Sequence, residues 1–539
     1  MASHVADKTD PVTRSEETSA EGKLHIQPRD ANVDGENAAG ITGYDHERMK
    51  DRGLLSYEEE KKLLRRVDIR LMILCAVIFM IKNVDANNAA HARIMNRGTD
   101  RNIMTQLKMT ANDYNWVSTI YFIPFIVFEI PSNLIMKKML PSRFQSRIMV
   151  TWGITLACHA AVTSKAGLLT ARFFLGLTEA GMFPGIILQL TYWYRADEMT
   201  SRLLIFYSFE FFANIVSAVL AFGFNGISGR GGLFFLVEGI FTIIFGISLW
   251  WIFPDCKKTH PAHEDEGLHL DTVPEQAKWL TDKEKRFLQA RLPANAPRSS
   301  ESDFNMSEIW ESLKDQRLWW FTLIWATKTI GGSGLSFYLP TIVADLGLVS
   351  IAESQLLTIP SAVIPMFLIG LSAYLTGRKG VPYPLIALIY MVTTLACYAV
   401  MVTYPNLGGV YAATTIAASA SLAWFSTMWP WRLQTTSKAT GSAFAIAFSN
   451  SLGQIGTIVG PQIFQSKYAP KYTVSFAVAM GMSGLCILAT MWTWWLTRHT
   501  ERQTWHLRKM RINAAKNSNV VLEDFDINPD FEKGAKVPK

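Results

Sequence analysis

Apolar residues arrive along this chain in long blocks, each near the roughly 20 residues that an α-helix needs to cross a bilayer. Twelve helical spans are predicted, at about 69–94, 112–136, 144–163, 167–194, 202–225, 232–253, 316–344, 353–376, 383–403, 407–430, 440–464 and 472–497. A polar stretch of about 60 residues separates the sixth from the seventh. The pattern divides the chain into a tail and charged entry helix (1–66), a six-helix half (67–254), a central loop (255–314), a second six-helix half (315–498) and a second tail (499–539). Two six-helix halves on either side of a polar loop are an arrangement of secondary transporters. The fold class is therefore an all-α membrane protein.

The polar segments carry their own signals. Residues 1 to about 47 are rich in Asp, Glu, Ser, Thr and Gly and contain no apolar stretch of signal-peptide type, so they are expected to be a tail without fixed structure. Ser56 and Glu59 form a capping box that opens the helix YEEEKKLLRRVD. Thr281 and Glu284 form another in the central loop, within WLTDKEKRFLQARL. Lys61, Lys62, Arg65, Arg66 and Arg70 precede span one, and Lys137, Lys138, Arg143 and Arg147 lie between spans two and three. Lys257, Lys258, Arg378, Lys379, Arg498, Arg502 and Arg508 fall on the same side, which puts both termini in the cytosol. One basic cluster, Arg93, Arg97, Arg101 and Lys108, falls on the opposite side. It reads either as a solvated loop or as a vestibule that attracts anions.

Composition agrees with the blocks. Hydrophobic residues make up 49% and charged residues 18%, too apolar for a disordered chain or a soluble enzyme of several domains. The net charge of +7 sits in the topology clusters, so no nucleic-acid partner is expected. The five cysteines show no disulfide or metal spacing, and no GxGxxG, phosphate-binding loop or His/Cys cluster occurs. No enzyme activity, cofactor or metal is expected.

Ionisable residues inside the spans carry the functional signal, because a charge at bilayer depth costs about 2.5–3.5 kcal/mol even on insertion scales. Span one holds Lys82, Asp85 and His91, span two Glu129, span four Arg172 and Glu179, span five Glu210, span six Glu238 and span seven Lys328. Lys82, Asp85 and Ala86 are spaced to share one helix face. Arg172 and Glu179 lie two turns apart, about 10 Å, too far for a direct pair. Asp85 and Glu179 are expected to carry a transported proton, with a static ion pair as the alternative for each. Glu129 and Glu238 are read as structural groups bonded to neighbouring helices, His91 and His159 likewise, and Glu210 as facing either the cavity or the junction of the halves. Pro124 and Pro131 in span two, Gly331 to Gly334 in span seven, and Pro360 and Pro365 in span eight are expected to interrupt their helices. Trp325 and Trp424 lie deeper than the other tryptophans and are placed to stack on a planar substrate.

A family resemblance covers about residues 57–500. NVDANNAAHAR (83–93) resembles the Asp-Arg-Asn-Asn-Ile signature of fungal members of the anion:cation symporter family, within the major facilitator superfamily. The likeness continues through FEIPSNLIMKKMLPSR (128–143), TARFFLGLTEAGMFPG (170–185), LVEG (236–239), FYLPTIVADLG (337–347) and SNSLGQIG (449–456). That family includes permeases for allantoate, nicotinate and pantothenate. The resemblance implies proton-coupled import of a small organic anion such as a vitamin, ureide or carboxylate, by alternating access in the plasma membrane. It assigns proton coupling to Asp85 and Glu179 and places Arg172 and Asn88 in the substrate region. The family's helix-one arginine is Ala86 here, and Lys82 stands one turn away. Just past span ten only Lys438 remains of the family's Lys-Arg pair. The expected substrate-binding set is therefore Lys82, Arg172, Lys328, Asn88 and Trp424. The partners implied are the anion, protons and the lipid bilayer, with the chain a monomer. The alternatives are an exporter of a secondary metabolite or toxin in the same fold, a uniporter without proton coupling, and a non-transporting nutrient receptor.

Overall fold

The computed structural model describes residues 17–19, 22–24, 26–28, 51, 54–138, 141–191, 193–194, 196–225, 232–253, 279–292, 310, 312–378, 380–435, 448–516 and 519–521. Entry helix α1 (Tyr57–Val67) runs through a short wide turn, Asp68–Met72, into α2 (Ile73–Ile94), the first span. A single turn, α3 (Ile103–Gln106), precedes α4 (Ala111–Lys138), α5 (Pro141–Cys158), and a fourth span split into α6 (Lys165–Glu179) and α7 (Met182–Thr191). α8 (Ala196–Phe224) and α9 (Leu233–Ile252) complete the first half. α10 (Asp282–Arg291) lies in the central loop. The second half comprises α11 (Gln316–Asp345), α12 (Ile351–Leu356) with α13 (Pro360–Arg378), α14 (Tyr383–Thr403), α15 (Leu407–Thr435), α16 (Ile455–Ile463) and α17 (Thr473–Lys516). Every predicted span is thus occupied by helix among the described residues, the eleventh over its second part.

Two expectations are corrected. The first tail carries short strands: Glu17–Ser19 pairs with Gly22–Leu24, and Ile26–Pro28 pairs with Asn519–Val521 near the other terminus. The helix breakers act differently from their sequence signal. α4 runs unbroken through Pro124 and Pro131, and α11 runs unbroken through its four-residue Gly/Ser run. Pro365 lies inside α13, and only Pro360 marks a break. Neighbouring helices keep a proline- or glycine-bearing span helical because no water competes for its backbone. The break that does occur in the first half was not anticipated. At Gly181, between α6 and α7, φ is +89° and a Cβ would lie 2.3 Å from Ser132 Oγ. Only glycine fits that left-handed, crowded position.

Among the described residues, five segments are each long and apolar enough to cross a membrane alone: Ile205–Phe224, Leu233–Ile252, Ile351–Gly377, Tyr383–Thr403 and Thr473–Arg502. Other spans dilute their apolar character with the groups they bury, as α2 does with Asn83, Asp85, Asn88 and Arg93. The outward faces are apolar, with Trp251 76% and Phe367 75% exposed, as lipid-facing surface requires. α5 packs on α9 in the first half and α14 on α17 in the second; the halves meet through α2 with α11, α4 with α16, and α8 with α13 and α15.

Small residues set the closest approach, where α11 meets the eleventh span. A Cβ on Gly456 would lie 2.1 Å from Thr329 Oγ1 and 2.3 Å from the Ile330 backbone nitrogen. Gly456→Ala is therefore expected to lower stability by about 1–3 kcal/mol, the usual cost of overpacking. A thermal melt in detergent checks this, and an unchanged midpoint would show that the two helices part freely.

α10 is docked on the first half. Arg291, 1% exposed, pairs with Glu198 and Glu60, and Arg66 pairs with Glu284. Arg202 pairs with Asp68 at 2.7 Å. Trp279 lies parallel to Trp193, with Arg70 4.8 Å above its ring. Both predicted capping boxes form. The Ser56 backbone N–H and hydroxyl hold the exposed Glu59 carboxyl below the usual glutamate range.

Candidate functional site

A cavity of about 300 Å³ lies between the halves, walled by spans one, two, four and five of the first half and seven, eight, ten and eleven of the second. Its wall is aromatic, with Phe79, Tyr121, Phe125, Tyr207, Trp325 and Phe425 among the lining residues. Three cations reach it, Lys82, Arg172 and Lys328, against one carboxylate, Glu210. Lys82 Nζ stands 5.6 Å from the centre of the Phe125 ring. Lys328 Nζ stands 3.6 Å from the Phe425 ring and 5.5 Å from that of Trp424. Ring faces hold an ammonium electrostatically without occupying its three donors. Glu210 lies within electrostatic reach of both lysines.

The other expected site residues stand behind this wall. Asp85, 1% exposed, accepts from Trp152 Nε1 (2.9 Å) and Thr242 Oγ1 (3.0 Å), on spans three and six. Lys82 and Ala86 line the cavity but Asp85 does not, which corrects the expectation of one shared face. Three residues on along a helix is 60° back around its axis, and the boundary between cavity and bundle falls inside that arc. No ion pair joins Lys82 to Asp85 among the described residues. Asn88 is fully buried and bridges two groups: it accepts from Arg172 NH2 (2.9 Å) and donates to Glu238 Oε2 (2.8 Å). Glu179 is fully buried and accepts from the Tyr121 hydroxyl; its second oxygen has no hydrogen-bond partner. Trp424 backs Trp325 and Phe425 at 6.1 and 5.3 Å between ring centres and is not part of the lining. Lys438 lies outside the described residues.

Side chains join the halves at both ends of the cavity. At one end Arg93, 3% exposed, donates to the Tyr338 hydroxyl (3.0 Å) and to Asn115 Oδ1 (3.2 Å), with Tyr338 donating to the same oxygen (2.6 Å). His91 Nδ1 donates to Gln355 Oε1 (2.6 Å), and Arg97 pairs with Asp345 (2.6 Å). The vestibule reading of the basic cluster is thereby corrected: Arg93 is buried and Arg97 is paired, both across the junction. At the other end Glu129, fully buried, accepts from Asn450 and from Ser451 Oγ (2.6 Å). It bonds to a neighbouring helix, as expected, but its partners belong to the opposite half.

Tyr121, Trp152, Thr242, Asn115, Tyr338 and Gln355 were missed by sequence reasoning. A tyrosine hydroxyl or a Gln side chain at bilayer depth needs a partner, and that requirement is the only signal these residues offer.

The fold agrees with the known proteins the chain is similar to. It is 27% identical over 495 residues to the MFS-type transporter cnsO of Penicillium expansum, covering 89% of this chain and 91% of that one. It is 26% identical over 500 residues to the major facilitator-type transporter hxnP of Emericella nidulans, covering 88% and 93%. A solved bacterial homolog of the human lysosomal transporter Spinster, inward-facing and unoccupied, superposes with a TM-score of 0.56 at 14% identity, over 80% of this chain and 97% of that one. At that identity the likeness concerns the fold alone. The family model described as Major Facilitator Superfamily matches residues 99–461. The chain is a membrane transporter that belongs to the Major Facilitator Superfamily.

Proposed function

We propose that this transporter carries a small organic anion together with protons, by alternating access of the central cavity to the two sides of the membrane. The observation that carries the reading is the charge of the wall: three cations against one carboxylate in a cavity at bilayer depth, where an unpaired charge is costly and a bound anion removes the imbalance. The aromatic lining favours an anion with a flat apolar body. Glu179 stands one hydroxyl behind that wall, through Tyr121, so a proton on it and an anion in the cavity act on each other without touching. Asp85, held deeper by neutral donors, is the second coupling carboxyl. Import across the plasma membrane, with both termini cytosolic and the Arg93 end outside, follows from the lysine and arginine clusters and the family resemblance.

Proteoliposomes with an imposed pH gradient test the reading. A panel of labelled organic acids (nicotinate, pantothenate, allantoate, benzoate) should include one that accumulates when the outside is acidic and does not when the gradient is absent. Accumulation driven only by the reverse gradient would make the chain an exporter. No gradient-driven movement of any acid would overturn the proposal.

The Arg93 cluster supplies a further expectation. Arg93→Gln should loosen closure at that end, because Asn115 and Tyr338 lose a shared charged donor. A cysteine placed at Ser336 on the cavity wall should then react several-fold faster with a maleimide added from outside. Arg97→Gln should change this little, since an ion pair at the exposed rim is worth about 0–1 kcal/mol. Equal labelling in Arg93→Gln and the parent would show that the cluster does not hold the closed state.

A further inference from the structure

α2 and α9 meet at two rungs. Asp85 accepts from Thr242, and Asn88 donates to Glu238. Along α2 the two rung residues are three apart, and along α9 they are four apart and run in the opposite order. The carboxyls of Asp85 and Glu238 therefore lie about one helical turn from each other on facing helices, roughly 5–6 Å, and they act on each other electrostatically. Both are buried, at 1% and 5% exposure.

The groups around Glu238 are few. α2 presents Asp85 and Asn88. α6 presents Arg172, whose guanidinium bonds Asn88 and sits 5.2 Å from the Phe235 ring, and Glu179, which acts electrostatically on Asp85. α5 presents Trp152 and is followed by His159, whose Nδ1 donates to the Thr155 carbonyl and whose ring faces Phe235. Arg172 thus reaches Glu238 through the Asn88 amide, and no ion pair binds either carboxyl among the described residues. Glu238 Oε1 has no hydrogen-bond partner.

Two anions one turn apart, in a dry bundle, with the nearby cation held off by an amide, repel each other too strongly for both to be ionised. The donors decide which one stays charged. Asp85 has an indole N–H and a hydroxyl; Glu238 has one amide and a bare oxygen, and a bare oxygen is less costly on a neutral carboxyl than on a carboxylate. We propose that Asp85 and Glu238 bind one proton between them and that in this conformation it rests on Glu238, making Glu238 a proton-binding site of the first half. Its part in coupling rests on the transport reading above, where it adds a proton to the one carried by Glu179; its occupancy does not rest on that reading.

Infrared difference spectra of the full-length protein in lipid, recorded over a pH titration without any substrate, test the proposal. A band from a protonated carboxyl should be present at pH 7. Glu238→Gln should remove one such band. Glu238→Asp, which keeps the carboxyl and guards against a folding failure, should shift the band without removing it. Asp85→Asn removes the opposing charge, so the band assigned to Glu238 should then titrate at lower pH. Full band intensity in Glu238→Gln, or an unmoved midpoint in Asp85→Asn, overturns the proposal. The transport reading is decided separately by pH-driven uptake of the labelled acids in the wild-type protein: its failure would leave the infrared result to decide the proton site alone.

Discussion

Glu179→Gln is expected to abolish pH-driven accumulation, bringing the ratio of internal to external substrate to about one, while exchange of substrate across the membrane continues. The carboxyl is fully buried, one oxygen takes the Tyr121 hydroxyl, and the other has no partner. Lys82 and Arg172 act on it from the cavity side. Glutamine fixes the neutral state: the loaded carrier still turns around with substrate aboard, but no proton is released to drive net movement. Counterflow and gradient-driven uptake, measured in the same proteoliposomes, separate the two. Asp85→Asn should impair accumulation as well. If accumulation survives in both variants, the coupling assignment is wrong.

Removing one cavity lysine should weaken the anion by about 1.5–3 kcal/mol, the range for a charged hydrogen bond, which is roughly a tenfold to hundredfold rise in Kd. Lys328 and Lys82 stand on opposite halves, each against an aromatic face, with ammonium donors that an incoming carboxylate can take. Both should matter, because closing the halves brings them to the same ligand. Ala86 also lines the cavity, one turn from Lys82. The double change Lys82→Ala with Ala86→Arg should therefore recover part of the affinity, since it returns the cation to the wall. Binding titrations across pH distinguish this from a purely electrostatic role: an affinity unchanged at the pH optimum, with the pH profile displaced, would sink the two-lysine clamp.

The spans were legible because a bilayer leaves no alternative to helix, so block length and apolar character suffice. The cavity cations were legible for a related reason, since Lys82, Arg172 and Lys328 have no place at that depth unless something wet or charged meets them. Orientation about a helix axis was not legible. Asp85 and Lys82 differ by three residues, and nothing local says that the bundle turns one toward Trp152 and the other toward Phe125. Partners across the junction were equally hidden: Glu129 meets Asn450, more than 300 residues away. Arg93 was misread for a simpler reason. Charge counting groups it with the loop cations Arg97, Arg101 and Lys108, whereas it belongs to the last turn of α2 and lies against Tyr338.

The docking of α10 changes what the central loop is in mechanical terms. With Arg291 anchored to Glu198 and Glu60, and Arg66 to Glu284, α10 is bound to the first half by side chains from two of its elements, although in sequence it lies between the halves. The covalent link that matters for motion between the halves is then the one after Leu292, not the whole central loop. A transporter expressed as two separate chains should consequently reassemble when the cut falls within 293–309, with α10 supplied by the first fragment. A cut within 254–278 would assign α10 to the second fragment, and the clamp on Glu198 would have to form between chains instead of within one.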